Sequence, residues 1–169
     1  MSRPRIFVDL DGTCAEWVPE GNWREKGYFL SLTPVREMTE TLRLVSDIFE
    51  IHVLSWAVSP TAEKEKRLWV SEYMPFVKTD RVHIVPYGAS KQKYVPGGVK
   101  QEDLLIDDYT PALFAWKAAG GRPVKFYNGL NGTQGRYRKS GGDMICRQWG
   151  SIRMAEELLK KEHNFSCTV

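Results

Sequence analysis

The chain has 169 residues, 42% of them hydrophobic and 27% charged, with a formal net charge of +3. That length is enough for one well-buried core, and the mean hydropathy of -0.40 with no apolar run near the roughly 18 residues of a membrane span excludes a membrane-spanning protein. A single soluble domain over residues 1–169 is expected, with no membrane partner.

Ser2, Arg3 and Pro4 lead straight into an apolar run, so no secretory leader is expected, and the first strand is placed at about Arg5 to Leu10. Thr13 to Thr33 is irregular and rich in Gly, Trp and mixed charge, which reads as a short flap inserted at about 14–33. Thr33 and Pro34 look like an N-cap and first helical position, and Val35, Met38, Leu42 and Val45 repeat at helical spacing up to about Ser46. The run IFEIHVLS is a second strand. Ser59-Pro60 opens another helix, with Ala62, Leu68, Trp69, Tyr73 and Met74 as its apolar positions and Pro75 as its stop.

A third strand, VHIVPY, is followed by the polar stretch GASKQKYVPGGVKQE and then by DLLIDD, an apolar run too short for a helix that suits a buried parallel strand. Thr110-Pro111 starts a helix that Gly120-Gly121 ends, PVKFYN makes a fifth strand, GLNGTQGRYRKSGGD reads as a long loop, and Ser151 to Lys161 closes the chain as a helix. This alternation predicts an α/β, Rossmann-like, mostly parallel sheet with helices on both faces and a ligand crevice at the strands' carboxyl ends.

The chemistry-bearing residues fall at those ends. Asp9 and Asp11 follow the first strand, Ser55 ends the second, Asp107 and Asp108 end the fourth, and Lys91 and Lys93 precede the fourth. Four carboxylates in one crevice repel one another unless a cation neutralises them, which implies a hard, oxygen-liganded ion, Mg²⁺ above all. Charge along the chain is uneven as well. Residues 1–116 hold 14 Lys/Arg against 17 Asp/Glu and residues 117–169 hold 10 against 4, as an acidic site and an anion-attracting surface would produce, or two ordinary solvated faces. Cys14, Cys146 and Cys167 have no CxxC or metal-ligand spacing and suggest reduced thiols in a cytoplasmic setting.

DLDGT at 9–13, the Ser of VLSWA, a Lys ahead of the fourth strand and the acidic pair of LLIDDYTP together resemble the four motifs of the haloacid dehalogenase (HAD) superfamily of phosphatases and phosphotransferases. DLLIDD with SKQK upstream is similar to the 5'(3')-deoxyribonucleotidase branch. The resemblance implies that Asp9 is the nucleophile forming an aspartyl-phosphate and that Asp11 is the acid and base, with its backbone carbonyl on the metal. It implies that Gly12 shapes the phosphate-binding turn, that Ser55 donates to the phosphoryl group, and that Asp107 is a direct metal ligand with Asp108 beside it. The metal set is then Asp9, Asp11, Asp107 and Asp108. Lys93 matches the charge-compensating lysine, with Lys91 as the alternative, because the Pro96-Gly97-Gly98 insertion blurs the spacing.

About twenty residues between Thr13 and Pro34 are too few for a folded helical cap, so a minimal cap is expected. Trp17, Trp23, Tyr28 and Phe29 in the flap are able to stack on a base, though anchoring of the flap is the preferred reading. Trp56 is the aromatic nearest the expected phosphate, and Arg136, with Arg138 and Lys139 in the loop Asn128 to Lys139, is a further anion contact. The expected function is Mg²⁺-dependent hydrolysis of a phosphate monoester, a (deoxy)nucleoside monophosphate first. A larger phosphorylated partner (a nucleic-acid end or a phosphoprotein) and a non-catalytic phosphate-binding module are the alternatives, and homodimerisation is left open. A receiver domain fits less well, because there the lysine comes after the acidic residues.

Overall fold

The computed structural model describes residues 3–129 and 134–166. Among these residues six strands form one sheet, β1 (Arg5–Val8), β2 (Glu50–Ala57), β3 (Val82–Pro86), β4 (Leu104–Asp107), β5 (Arg122–Tyr127) and β6 (Asp143–Cys146), in the order β3-β2-β1-β4-β5-β6. Every pairing is parallel. The helices are α1 (Arg36–Val45), α2 (Pro60–Tyr73), α3 (Thr110–Ala118), α4 (Gln134–Lys139) and α5 (Gly150–Ser166). None is long and apolar enough to cross a membrane.

Both sheet faces are covered, which is why the strands read as continuous apolar runs. Ile6, Val8, Val53 and Ile106 point to one face, where Met38 and Leu42 of α1, Trp69 and Val70 of α2, and Met154 and Leu158 of α5 enclose them. Phe7, Leu54 and Leu105 point to the other and meet Leu113 and Trp116 of α3 and Tyr137 of α4. The strand order reverses between β1 and β4. At such a switch point the connections leave to opposite faces and open a crevice beyond the carboxyl ends.

The elements depart from the sequence reading in a few places. Four-residue β6 and six-residue α4 lie where a long loop was expected. The short DMIC run, set off by Gly141 and Gly142, is stabilised as a strand by pairing beside β5, in register from Val124↔Asp143 to Tyr127↔Cys146. α1 begins two residues beyond Pro34, because Pro34 pairs with Ala15 in an isolated bridge, and Val35 takes the N-cap position without a side-chain cap. α2 begins as expected, with Ser59 Oγ accepting from Ala62 N–H and Pro60 at its first turn. Its buried face, however, holds Glu65 and Lys66, while Leu68 is left 58% exposed.

The flap holds only a short 3₁₀ turn, Phe29–Ser31. It is tied at its base by Glu16 N–H to Thr33 O and Val35 N–H to Cys14 O, and along its length by Trp69 Nε1–H to Leu32 O at 2.8 Å.

Candidate active site

β1 delivers Asp9 one residue beyond its last pairing, where its N–H still donates to Ile106 O on β4 at 3.0 Å. Asp107 is the last residue of β4, and Asp108 follows it. One oxygen from each of Asp9, Asp107 and Asp108 lies within 4.8 Å of the other two, which is the grouping a divalent ion requires.

The lysine among them is Lys91. It sits in a 3₁₀ turn at 91–94, is 4% exposed, and donates to Asp9 Oδ1 and Asp107 Oδ2, both at 2.8 Å. Lys93, the residue preferred from sequence, is exposed. The turn accounts for the correction, since it carries position 91 into the crevice and position 93 to solvent. Burial opposes the Lys91 charge, but Asp107 and Asp9 outweigh it and hold the ammonium above its ordinary range.

Lys91, even with the buried Lys125 near Asp108, does not balance three carboxylates. Burial, with Asp9 nearby, pushes Asp107 up to about 6 against the pull of Lys91. Burial together with Asp107 and Asp9 pushes Asp108 up to about 7. The cluster therefore carries the excess negative charge and the oxygen-only donor set that suit Mg²⁺. Asp11 is not the fourth member by its side chain. Its carboxylate turns to the Lys66 ammonium, burial raises its pKa, and its Oδ1 is buried without a hydrogen-bond partner among the described residues.

Gly12 has φ +77°, and an added Cβ would stand 2.6 Å from Asp108 Oδ2 and 3.1 Å from Asn128 Nδ2. Asn128, at the end of β5, fixes this corner by donating to Gly12 O at 2.7 Å and to Asp108 Oδ2 at 3.0 Å. Lys125, fully buried, donates to Asp108 O and to Thr110 Oγ1 and so holds the turn from β4 into α3. Ser55 is fully buried and accepts from Lys66 Nζ at 3.2 Å.

The crevice above the carboxylates encloses about 770 Å³, and among the described residues its polar wall is made by Asp9, Asp11, Lys66, Lys91, Asp107 and Asp108. Its apolar wall is aromatic. Trp17, Trp23 and Phe29 come from the flap, Trp56 from β2, and Tyr87 and Tyr109 from just beyond β3 and β4. Trp17 and Trp23 also pack on the core, so these side chains both seat the flap and face the crevice, while Tyr28 is buried against Trp17 and Phe29. Trp56 Nε1–H donates to Ala89 O at 2.8 Å, which fixes its ring 4.9 Å from the Lys91 ammonium. A smaller recess of about 320 Å³ continues past Trp23 and Tyr87.

Arg136 is exposed on α4 and does not line the crevice; Arg138 lies over the Tyr127 ring, and residues 130–133 of the expected anion-binding loop are outside the described residues. Cys14 and Cys146 are free thiols, Cys14 buried, and Cys167 is outside the described residues.

Lys66, Asn128, Tyr87 and Tyr109 escaped the sequence reading. Lys66 had a signal: it falls on the stripe Ala62, Lys66, Trp69, Val70, Tyr73, where a helix facing a core has no use for a solvated ammonium. Tyr87 and Tyr109 directly follow strand ends, the positions from which ligand contacts come.

No protein-family profile matches the sequence, and no curated protein sequence matches it. Solved structures do resemble it. A haloacid dehalogenase-like hydrolase from Streptococcus pneumoniae aligns at TM-score 0.61 and 12% identity over 85% of this chain and 93% of its own. The D,D-heptose 1,7-bisphosphate phosphatase of Burkholderia thailandensis aligns at 0.61 and 14% over 92% and 97%. The corresponding phosphatase of B. bronchiseptica, complexed with magnesium and phosphate, aligns at 0.57 and 13% over 93% and 99%. The six-stranded parallel sheet with helices on both faces is thus the HAD-like α/β fold.

Proposed function

We propose that this protein is a Mg²⁺-dependent phosphate monoester hydrolase working through an aspartyl-phosphate on Asp9, with (deoxy)nucleoside monophosphates as substrates. The observation that carries the reading is the cluster of Asp9, Asp107 and Asp108, the first two buried, gathered at the switch point with Lys91 bridging Asp9 and Asp107. Neighbours of the same fold include phosphatases, one of them complexed with magnesium and phosphate. Mg²⁺ held by Asp9, Asp107 and Asp108, with the Asp11 backbone carbonyl, would neutralise the carboxylates and draw charge from the phosphoryl oxygens.

The chain's own groups account for both half-reactions. An Asp9 carboxylate oxygen bonds to phosphorus as the bond from phosphorus to the leaving oxygen breaks, and Asp11 gives that oxygen its proton. Asp11 then takes a proton from water, the water oxygen bonds to phosphorus, the bond from Asp9 to phosphorus breaks, and inorganic phosphate leaves. Lys91 stands where charge on Asp9 changes through both steps. Gly12, lacking a Cβ, lets Asp108 and Asn128 close against the backbone of this corner. Ser55, whose Oγ accepts from Lys66, retains its O–H to donate.

The aromatic wall supports a nucleotide substrate. A crevice of about 770 Å³ suits a mononucleotide, and its indole and phenol rings offer faces on which a nucleobase stacks. The test is phosphate release, with Mg²⁺ and with EDTA, from nucleoside monophosphates, sugar phosphates including a heptose bisphosphate, and a 5'-phosphorylated oligonucleotide. Metal-dependent release from mononucleotides at a kcat/KM well above that for sugar phosphates is expected. Preference for the sugar phosphates or the oligonucleotide overturns the substrate reading, and no release from any of them overturns the catalytic one.

A further inference from the structure

Lys66 lies outside the residues that the motif resemblance assigns, yet it is among the most deeply buried charges in the chain, with a side chain 2% exposed. It reaches from α2 to the crevice wall. An ammonium has three N–H bonds, and Lys66 Nζ has three acceptors: Asp11 Oδ2, Ser55 Oγ at 3.2 Å and Trp56 O at 2.6 Å. The Phe29 ring covers it at 4.4 Å. All its donors are engaged, so Lys66 offers none to a ligand.

We propose that Lys66 is a positioning residue that holds the Asp11 carboxylate in the rotamer from which it exchanges protons with the leaving oxygen and with water. The inference rests on the acid and base role given to Asp11 above. Asp11 lines the crevice, and its Oδ2 is bonded to Lys66. A carboxylate on a two-bond stem, with Asp9 two residues away, has other rotamers open to it. The bond from Lys66, itself tied to β2 through Ser55 and Trp56, selects one.

The neighbouring residue ties this geometry to the flap. Glu65, 4% exposed, accepts from Gly27 N–H at 2.6 Å and Phe29 N–H at 3.3 Å, so it holds the flap backbone against α2. That bond seats the Phe29 ring over Lys66. One turn of α2 therefore places both the aromatic flap and the proton-transferring carboxylate.

The test compares Lys66→Met, Lys66→Arg, Asp11→Asn and the double variant Asp11→Asn/Lys66→Met on an alkyl phosphomonoester and on p-nitrophenyl phosphate, whose leaving group needs no proton. Lys66→Met is expected to lower kcat on the alkyl ester about 100-fold with KM within about threefold, the size of a lost general acid. On p-nitrophenyl phosphate it should instead give a nitrophenolate burst stoichiometric with enzyme, followed by slow turnover, because only the water step still needs Asp11. Lys66→Arg should restore part of kcat, and in the Asp11→Asn background Lys66→Met should cost no more than about twofold. The double variant also removes both charges, so it keeps the comparison available if Lys66→Met alone folds poorly. Absence of the nitrophenolate burst, a rise in KM at unchanged kcat, or a full additional loss in the Asp11→Asn background would overturn the proposal. A crystal structure of Lys66→Met addresses it without catalysis: Asp11 is expected to leave its present rotamer, and an unmoved Asp11 carboxylate contradicts the assignment. Absence of turnover in the unsubstituted protein would instead refute the phosphatase reading, which separates the two failures.

Discussion

β1 and β4 carry buried charge at both ends, and the two ends are built differently. At the amino ends, Arg5 forms a two-point pair with Asp103, through Nε at 2.8 Å and Nη2 at 2.5 Å, and also donates to Pro96 O and Gly98 O. Asp103 Oδ2 accepts Lys100 N–H as well. One positive charge meets one negative charge, and Nε, Nη1 and Nη2 of the guanidinium each reach a protein acceptor. At the carboxyl ends, Lys91 meets Asp9 and Asp107, Asp107 and Asp108 are pushed up to about 6 and about 7, and Asp11 Oδ1 is buried with no hydrogen-bond partner among the described residues. Burial of charge alone therefore does not mark a functional site in this fold. The amino-end pair is complete without a ligand and closes the sheet, whereas the carboxyl-end cluster is left short of positive charge, as a site that takes a cation and a phosphate must be.

Substitutions at the two ends should separate accordingly. Asp9→Asn is expected to reduce phosphate release by about 10⁴-fold or more while leaving the thermal unfolding midpoint near that of the unsubstituted protein, since it removes the nucleophile and a repelling charge together. Arg5→Met should do the reverse. Stranding Asp103 inside the protein costs about 3–5 kcal/mol in denaturant unfolding, with kcat per folded molecule unchanged. A loss of kcat in the folded fraction of Arg5→Met would break the contrast.

Lys91→Met should lower kcat by about 10²–10³-fold, and Lys93→Met should stay within about twofold, as steady-state kinetics on both variants would read. The smallest effect is on stability without metal. Asp107 and Asp108 have folded pKa values of about 6 and about 7 against an ordinary 3.8, so the folded chain binds more protons than the unfolded one between those values. Their contribution is fully present below about pH 4 and is lost as pH rises through about 6 and 7. In EDTA, Asp108→Asn should thus be more stable than the unsubstituted protein at pH 8, with the gap closing toward pH 4 and disappearing at pH 8 when Mg²⁺ is added. An equal advantage at both pH values would contradict the charge imbalance.

What was legible in the sequence followed from residues that local chemistry forbids elsewhere. Carboxylates bounding short apolar runs mark the carboxyl ends of strands, which located Asp9, Asp11, Asp107 and Asp108 and made the parallel sheet readable. Lys91 against Lys93 was not legible, because the choice depends on the phase of one 3₁₀ turn that no local pattern announces. Lys66 was hidden in a helix with many charged residues, where Leu68 looked like the core position, yet α2 turns its polar pair toward the flap and crevice. Strand β6 was missed because tertiary pairing with β5, rather than the propensity of four residues, makes it a strand. The role of the flap aromatics divided between the two readings for the same reason: only the packed structure shows that Trp17 and Trp23 both pack on the core and line the crevice.

The central claim, that the uncompensated carboxylates at the end of β1 and β4 perform phosphoryl transfer, is tested most directly by acid quenching of the protein during turnover of a ³²P-labelled nucleoside monophosphate in Mg²⁺, followed by peptide mapping. The account predicts label on Asp9, absent when Mg²⁺ is withheld and absent in Asp9→Asn. Turnover with label on another residue, or with Asp9→Asn still active, would contradict it.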